Sequence, residues 1–169
     1  MSVLARFFMN TTYTKTRKIT ISALIAASYF AVMFATQGFS FGAYQIRIAT
    51  AIYAFSYLFP FLVVPMGLAN ALSNGLLGGL GMPDIIGGFI VGIIISGGVA
   101  LVRKCKLPMF LVVFPIILGS GFIVPIWLSP ITGVPYWALV VNISISQIAP
   151  SILGYILIRA ISTRTDIGQ

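Results

Sequence analysis

The chain has 169 residues, of which 59% are hydrophobic and only 7% are charged. A soluble domain carries about 25% charged residues, so this chain cannot cover a surface that faces water, and its solvent is the lipid bilayer. Ten basic and two acidic residues give a net charge of +8. Because the basic residues gather at the ends of apolar segments, they indicate loops beside anionic lipid rather than a nucleic-acid site.

The apolar segments define three parts of the chain. We expect a basic cytoplasmic N-terminal segment over 1–18 without a cleavable signal peptide, a membrane domain over 19–158 and a cytoplasmic tail over 159–169. A helix needs about 20 apolar residues to cross the hydrocarbon. Four segments meet this length, at about 19–36, 84–102, 109–128 and 136–158. A further apolar block, roughly 45–80, is too long for one crossing and short for two.

Basic residues decide how often that block crosses. They cluster before residue 19, in "RKCK" at 103–106 and after residue 158. A single crossing of the block would place the last two clusters outside, whereas two crossings that turn near Pro60 place all three inside, as the positive-inside rule requires. We therefore expect an all-α multi-pass protein of a prokaryotic plasma membrane, with six transmembrane helices, cytoplasmic termini and a cytoplasmic Cys105. The second helix, about 45–59, is short and must be tilted or must start inside the protein.

Small residues recur every four positions in two of the segments. Such ladders let helix backbones approach closely in lipid, where the hydrophobic effect does not drive helices together. In the fourth segment we interpret the ladder as internal packing, whereas in the first segment internal packing and an external docking face are equally compatible with the pattern. The positions are Ala23, Ala27, Ala31 and Ala35 in the first segment, and Gly88, Gly92, Ser96 and Ala100 in the fourth.

Several kinds of chemistry are excluded by composition. The chain has no histidine, one cysteine and, between its terminal regions, one acid. This excludes most metal sites and acid–base constellations, so we expect neither an enzyme nor a metal or cofactor site. The glycine-rich "GLLGGLG" at 75–81 lacks the Lys-Ser/Thr of a phosphate loop, and a proton-driven pump would need carboxylate or histidine relays.

Polar and aromatic side chains gather at the predicted outer ends of the helices. Amides, one cation, one anion and flat aromatics suit a planar ligand with several hydrogen-bonding edges. The candidate binding residues are Gln45, Arg47, Asn70, Asn74, Asp84, Trp127, Tyr136, Trp137, Asn142 and Gln147.

Each of these residues also has a structural alternative. The three aromatic residues could form an interfacial belt, and Asp84 could cap the fourth helix. Asn70 and Asn74 lie one turn apart and could join helices by hydrogen bonds. Arg47 opposes the positive-inside bias, so we favour a ligand role for it, although it could snorkel outward or pair with Asp84.

Three motifs carry a resemblance to a known family. "GAYQIRIATAI" at 42–52, the "LAN" that ends at Asn70, and "PDIIGG" at 83–88 resemble the QueT-type substrate-binding S-component of energy-coupling factor (ECF) transporters. The first motif matches the family at Gly42, Gln45, Arg47 and Ile48. The resemblance implies an S-component-like bundle that imports a small planar micronutrient, for which a queuosine precursor or related deazapurine is the best interpretation.

The resemblance also implies partners. An Ala-x-x-x-Ala motif on the first helix of that family docks on a transmembrane T-component, which is joined by two cytoplasmic ATPase subunits. Ala23 and Ala27 match this motif, and Ala31 continues it. One departure lies in the substrate motif, where Ala49-Thr50 replaces the usual Ser-Glu. Thr50 is therefore a further candidate binding residue, which can form hydrogen bonds but lacks the charge of the usual glutamate. Two alternatives are a stand-alone carrier of a vitamin-like solute and a structural membrane subunit that binds nothing.

Overall fold

The computed structural model describes residues 13–41, 46–78 and 80–165. These ranges form a helical bundle with six principal segments. We name them helix 1 (Lys15–Ala35), helix 2 (Ile48–Tyr57), helix 3 (Pro60–Gly78), helix 4 (Met82–Lys104), helix 5 (Met109–Thr132) and helix 6 (Tyr136–Thr163). Within the described ranges, five of the six, all but helix 2, are long and apolar enough to cross a membrane.

Helix 1 lies at the periphery of the bundle. It begins at Thr14, whose hydroxyl accepts a hydrogen bond from the backbone N–H of Arg17 at 3.3 Å and so caps the first turn. Only Tyr29 and Met33 of this helix are buried. Ile21, Ile25 and Val32 are half-buried against the core, whereas Leu24 and Phe34 face outward, as is expected for a helix that lipid or a partner covers.

Helix 2 is a 3-10 helix in the centre of the bundle, where it packs against helices 1, 4 and 6. Ten residues in this conformation span about 20 Å, less than the ~30 Å hydrocarbon thickness. The expected transmembrane helix at about 45–59 is therefore a shorter buried segment of a different helical type. Its alanines allow close approach, since a Cβ atom on Gly154 of helix 6 would lie 2.6 Å from the Ala51 carbonyl oxygen.

The chain returns along helix 2 to the end of the bundle at which helix 1 begins. The ring of Tyr13 lies 6.0 Å from that of Phe59 and 5.7 Å from that of Phe61, centroid to centroid. Arg103, near the end of helix 4, reaches the same place and donates to the carbonyl of Tyr57 at 3.0 Å. The starts of helices 1 and 3 and the end of helix 4 therefore lie together.

Helices 3 and 4 are in close contact. A Cβ atom on Gly92 would lie 2.8 Å from the Cα atom of Gly67, so the two glycines permit a backbone crossing that no side chain could occupy. Gly88, Gly92 and Ser96 are buried, whereas Ala100 is half-buried. The first three residues of the helix 4 ladder thus pack inside the protein, whereas Ala100 borders its outer surface.

Helices 5 and 6 are interrupted where proline removes a backbone donor. In helix 5 the segment Gly119–Ile123 is a π-helix and precedes Pro125, which has no N–H for the carbonyl four residues earlier. Helix 6 breaks at Gln147, between Tyr136–Ser146 and Ile148–Thr165, and Pro150 follows. The break in helix 6 places a buried glutamine side chain against helix 2.

Candidate ligand-binding site

Polar residues recur every third position along helix 2 and the residue before it. In a 3-10 helix, residues three apart lie one above the other, so such a spacing produces one polar row. The row runs through the bundle centre, and its members are all buried: Arg47, Thr50, Tyr53 and Ser56.

Asn70 of helix 3 joins this row to two other helices. Its Oδ1 accepts from Arg47 Nη1 at 3.2 Å and from the Tyr29 hydroxyl at 3.3 Å. Its Nδ2 donates to the Gly88 carbonyl at 2.8 Å. Tyr29 and Tyr53 bring their hydroxyl oxygens within 3.4 Å of each other. Asn70 therefore fixes the position of Arg47 relative to helices 1 and 4.

Thr50 connects helix 2 to the break in helix 6. Its Oγ1 lies 2.6 Å from the Arg47 carbonyl oxygen and 2.6 Å from the Gln147 side-chain amide. A hydroxyl has one hydrogen, so it cannot donate to two oxygens. Both contacts are satisfied when the Gln147 amide is rotated by a half-turn, so that Nε2 donates to Thr50 and Thr50 donates to the Arg47 carbonyl. In that orientation the Gln147 carbonyl oxygen is left as an acceptor.

The segment that follows helix 1 also contacts Arg47. Its Nε donates to the Ser40 carbonyl at 3.2 Å, and its guanidinium carbon lies 5.0 Å from the centroid of the Phe41 ring, within cation–π range. Arg47 is only 6% exposed, and its Nη2 has no hydrogen-bond partner among the residues that the structure describes. A buried guanidinium whose hydrogen bonds all go to neutral groups thus retains an unused donor.

A second polar cluster lies where helices 3, 4 and 5 meet. The Trp127 indole N–H donates to Asp84 Oδ1 at 3.0 Å, and Asn74 Nδ2 donates to the Asp84 backbone carbonyl at 2.8 Å. Asp84 Oδ2 and Asn74 Oδ1 are buried and have no hydrogen-bond partner in the part of the chain that the structure describes. The hydrogen bonds of Arg47 go to Ser40 and Asn70, not to Asp84, so the pairing that the sequence left open does not form through hydrogen bonds here.

A small internal cavity lies beside the polar row of helix 2. Its volume is about 10 Å³, roughly the space of one water molecule. Its lining combines polar groups from helices 2, 3, 5 and 6 with aliphatic groups from helices 4, 5 and 6. The lining residues are Arg47, Thr50, Tyr53, Asn70, Val91, Ile95, Ser120, Val124, Ile143 and Gln147.

The candidate residues from the sequence divide into three groups. Arg47, Thr50, Asn70 and Gln147 line the cavity, while Asn74, Asp84 and Trp127 form the second cluster. Three others lie on helix 6 outside the cavity lining. Of these, Tyr136 donates to the Phe122 carbonyl at 2.9 Å, Trp137 is 68% exposed, and Asn142 is half-buried. Gln45 lies outside the described residues.

Sequence reasoning missed several cavity and supporting residues. Tyr53 and Ser120 line the cavity, and Tyr29 and Ser40 hold its polar wall. Tyr53 could have been found from its three-residue spacing to Thr50, but a ten-residue 3-10 helix is too uncommon to expect. The others have no local pattern that separates them from ordinary residues of membrane helices.

The alanine ladder of helix 1 faces outward. Ala23, Ala27 and Ala31 are all exposed. Beside them, an open groove of about 450 Å³ runs between helices 1 and 3. It is almost wholly apolar, with Lys18 at one end, and its walls include Ala23, Ala26, Pro65, Leu68 and Leu72.

An all-helical bundle with five membrane-length apolar helices and a buried polar site defines a multi-pass membrane protein of the transporter type. The model of the QueT transporter family matches residues 19–163, and the chain belongs to this family. No curated protein and no solved structure matches the chain. The membership agrees with a transport role rather than an enzymatic one.

Proposed function

We propose that this protein is the substrate-capture subunit, or S-component, of an ECF-type ABC importer, and that it binds a small planar micronutrient such as a queuosine precursor. The observation that carries the proposal is Arg47. Its guanidinium is buried and is positioned by Asn70 and Ser40, and within the described ranges its Nη2 has no partner. A buried donor without a partner costs free energy, which a ligand carbonyl at that position would offset.

The polar wall favours a ligand with a carbonyl next to a ring N–H. Arg47 offers only donors, whereas the rotated amide of Gln147 offers an acceptor. Tyr53 and Phe41 supply aromatic faces near the same wall. Thr50 stands where relatives are expected to carry glutamate, so the N–H edge of the ligand meets a neutral amide acceptor held by Thr50. A deazapurine with a lactam edge meets these requirements.

Ligand entry requires movement of the segment that follows helix 1 and contacts Arg47 through Ser40 and Phe41. A cavity of about 10 Å³ is far too small for a bicyclic base. The Ser40 carbonyl and the Phe41 ring both contact the Arg47 guanidinium. If Arg47 exchanges these two contacts for contacts to a ligand, the segment is released and the site opens toward the outer leaflet. Return of the segment then traps the ligand. The space around Gly38 leaves room for this movement, since a Cβ atom on that residue would have no neighbour within 4 Å.

Delivery would use the outward face of helix 1. The exposed Ala23, Ala27 and Ala31 beside the apolar groove support docking to a T-component, with two ATPase subunits on the cytoplasmic side. The return of helix 2 to the Tyr13 end of the bundle supports six traverses of the chain and cytoplasmic termini in a prokaryotic plasma membrane. In this proposal, the entrance of the binding site lies near Asn74, Asp84 and Trp127. Its outer rim is formed by Tyr136, Trp137 and Asn142.

Thermal unfolding of the purified protein tests the proposal. We expect 7-deazaguanine, which has a lactam edge, to raise the melting temperature of the wild-type protein, and 7-deazaadenine, which lacks it, to have little effect. Arg47→Ala should lose the response, while Val141→Ala, at an exposed position of helix 6, should keep it. Absence of stabilisation by every base would contradict the proposed substrate, and uptake by vesicles that contain this protein alone would indicate a secondary carrier.

Mass spectrometry of small molecules that co-purify with the native complex is the complementary measurement. We expect a T-component, two ATPase subunits and one heterocyclic ligand. Purification of a complex that contains neither ATPases nor a ligand would favour the structural-subunit alternative.

A further inference from the structure

A second surface groove lies between helices 3 and 4, on a different face of helix 3 from the groove beside the alanines. Its volume is about 470 Å³, and it opens to the outside of the bundle. The walls are apolar along most of its length, and the two cations stand at one end. The lining residues are Pro60, Val63, Gly97, Ala100, Leu101, Arg103 and Lys104.

Two small residues of helix 4 create the depth of this groove. A Cβ atom on Gly97 would have only Val63 Cγ1 within 4 Å, at 3.9 Å, so the space above Gly97 is open. Ala100 follows three residues later, on the same side of the helix. The groove therefore lies along the outside of the bundle, over the last two turns of helix 4.

The cationic end of the groove has no acidic partner among the described residues. Asp84 is the one acid that the described ranges contain, and it lies in the first turn of helix 4, whereas Arg103 and Lys104 lie in the last. Arg103 Nη1 donates to the carbonyls of Tyr57 at 3.0 Å and Leu58 at 2.7 Å, which holds the guanidinium in place. Lys104 is exposed. A fixed cation and a mobile one thus stand at the mouth of an apolar groove.

We propose that this groove binds one anionic phospholipid. The phosphate of the head group is held by Arg103 and Lys104, and one acyl chain lies over Gly97 and Ala100. Basic pockets between membrane helices recognise anionic head groups in this way. The apolar walls on the outside of the bundle favour a lipid over an acidic peptide, which would leave its backbone polar groups unsatisfied there.

The site has a consequence for helix 2. Because Arg103 holds the carbonyls at the end of helix 2, a head group bound to Arg103 lies against the segment whose other end carries Arg47. A phosphate bound to Arg103 would change how strongly its guanidinium binds the carbonyls of Tyr57 and Leu58. Lipid binding would therefore be coupled to the position of helix 2.

Native mass spectrometry in detergent tests the proposal with phosphatidylglycerol and phosphatidylcholine of identical acyl chains. We expect the wild-type protein to retain phosphatidylglycerol at least fivefold more than phosphatidylcholine. Lys104→Gln should lower phosphatidylglycerol retention about fivefold, the effect of one lysine at the membrane surface. Lys106→Gln removes the same charge outside the groove and should leave retention unchanged.

The acyl-chain contact is tested by Gly97→Leu, which fills the groove without changing its charge, and independently by Ala100→Leu. Retention of phosphatidylglycerol should fall in both variants while the circular dichroism spectrum stays that of the wild type. Equal retention of the two lipids by the wild type would overturn the proposal, and so would a loss in Lys106→Gln as large as that in Lys104→Gln. Undiminished retention in the folded leucine variants would show that the groove holds no acyl chain.

Discussion

Thr50 and Gln147 lie 97 positions apart in the chain, and the Thr50 hydroxyl oxygen lies 2.6 Å from the Gln147 side-chain amide. The contact links the central 3-10 helix to the point where helix 6 breaks before Pro150. Both side chains are almost fully buried, at 3% and 1% exposure. A polar pair of this kind fixes the register of helix 2 against helix 6, because any other register would leave buried hydrogen-bonding groups unsatisfied.

Removing this contact should show non-additive effects. Thr50→Val and Gln147→Leu each leave the other partner unsatisfied and should each destabilise the protein by about 1–3 kcal/mol. The double variant should lose less than the sum, with a coupling energy of about 0.5–1.5 kcal/mol. The free energy of unfolding in mixed detergent–SDS micelles measures all three values. Strict additivity would show that the two side chains do not interact.

Substitution of Arg47 should weaken ligand binding without unfolding the protein. Loss of a hydrogen bond from a charged group costs about 1.5–3 kcal/mol, roughly ten- to a hundredfold in affinity. Arg47→Ala should show this loss, and Arg47→Lys should not restore it, because an ammonium group lacks the planar fork that reaches Ser40, Asn70 and the ligand together. Equilibrium binding to purified variants is the measurement. Unchanged affinity in a folded Arg47→Ala protein would remove the centre of the proposed site.

The crossing of helices 3 and 4 makes two glycines of helix 4 behave differently. A Cβ atom on Gly92 would lie 2.8 Å from Gly67 Cα and 3.1 Å from the Met66 carbonyl oxygen, whereas one on Gly97 would have its nearest neighbour at 3.9 Å. Gly92→Ala should therefore destabilise the protein by about 1–3 kcal/mol through overpacking. Gly97→Ala should be neutral or stabilising by up to about 1 kcal/mol through helix propensity. Melting temperatures of the two variants compare them directly, and equal values would mean that the helices do not cross at Gly92.

The orientation of the bundle predicts the reactivity of Cys105. This cysteine is exposed and follows the last turn of helix 4 beside three basic residues. With the basic end of the bundle in the cytoplasm, a membrane-impermeant maleimide should fail to label Cys105 in intact cells and should label it after lysis. A cysteine introduced at Ser129, near the opposite end, serves as the positive control for labelling from outside. Ready labelling of Cys105 in intact cells would contradict the predicted orientation.

Bulky substitutions on the alanine face should separate capture from transport. Ala27→Phe adds a large group to an exposed position of helix 1, so ligand binding and folding should persist while ATP-driven uptake is lost. Ala138→Phe adds the same group to an exposed position of helix 6 and should leave uptake unchanged. Binding and uptake are measured on the same preparations. Loss of binding in Ala27→Phe would place the ladder in the internal packing of the capture subunit.

Properties that depend on local composition could be read from the sequence. The apolar runs predict the first, fourth, fifth and sixth segments to within a few residues, because the bilayer imposes a minimum length of apolar helix. Likewise, a charge placed between apolar runs is costly wherever the chain folds, so Arg47 stands out without any structure. Membership of the QueT family, expected from the motif around Arg47, is confirmed by the family match over residues 19–163.

Properties that depend on which helices meet could not be read from the sequence. The 3-10 form of helix 2, the support of Arg47 by Tyr29 and Ser40, and the contact of Thr50 with Gln147 all arise from neighbours that lie far away in the chain. The outer-end aromatics Tyr136 and Trp137 were grouped with Arg47 by depth alone, and they are not among the residues that line the cavity. Hydropathy specifies the depth of a residue in the membrane, but only the packing of helices against one another decides which way it faces and what it touches.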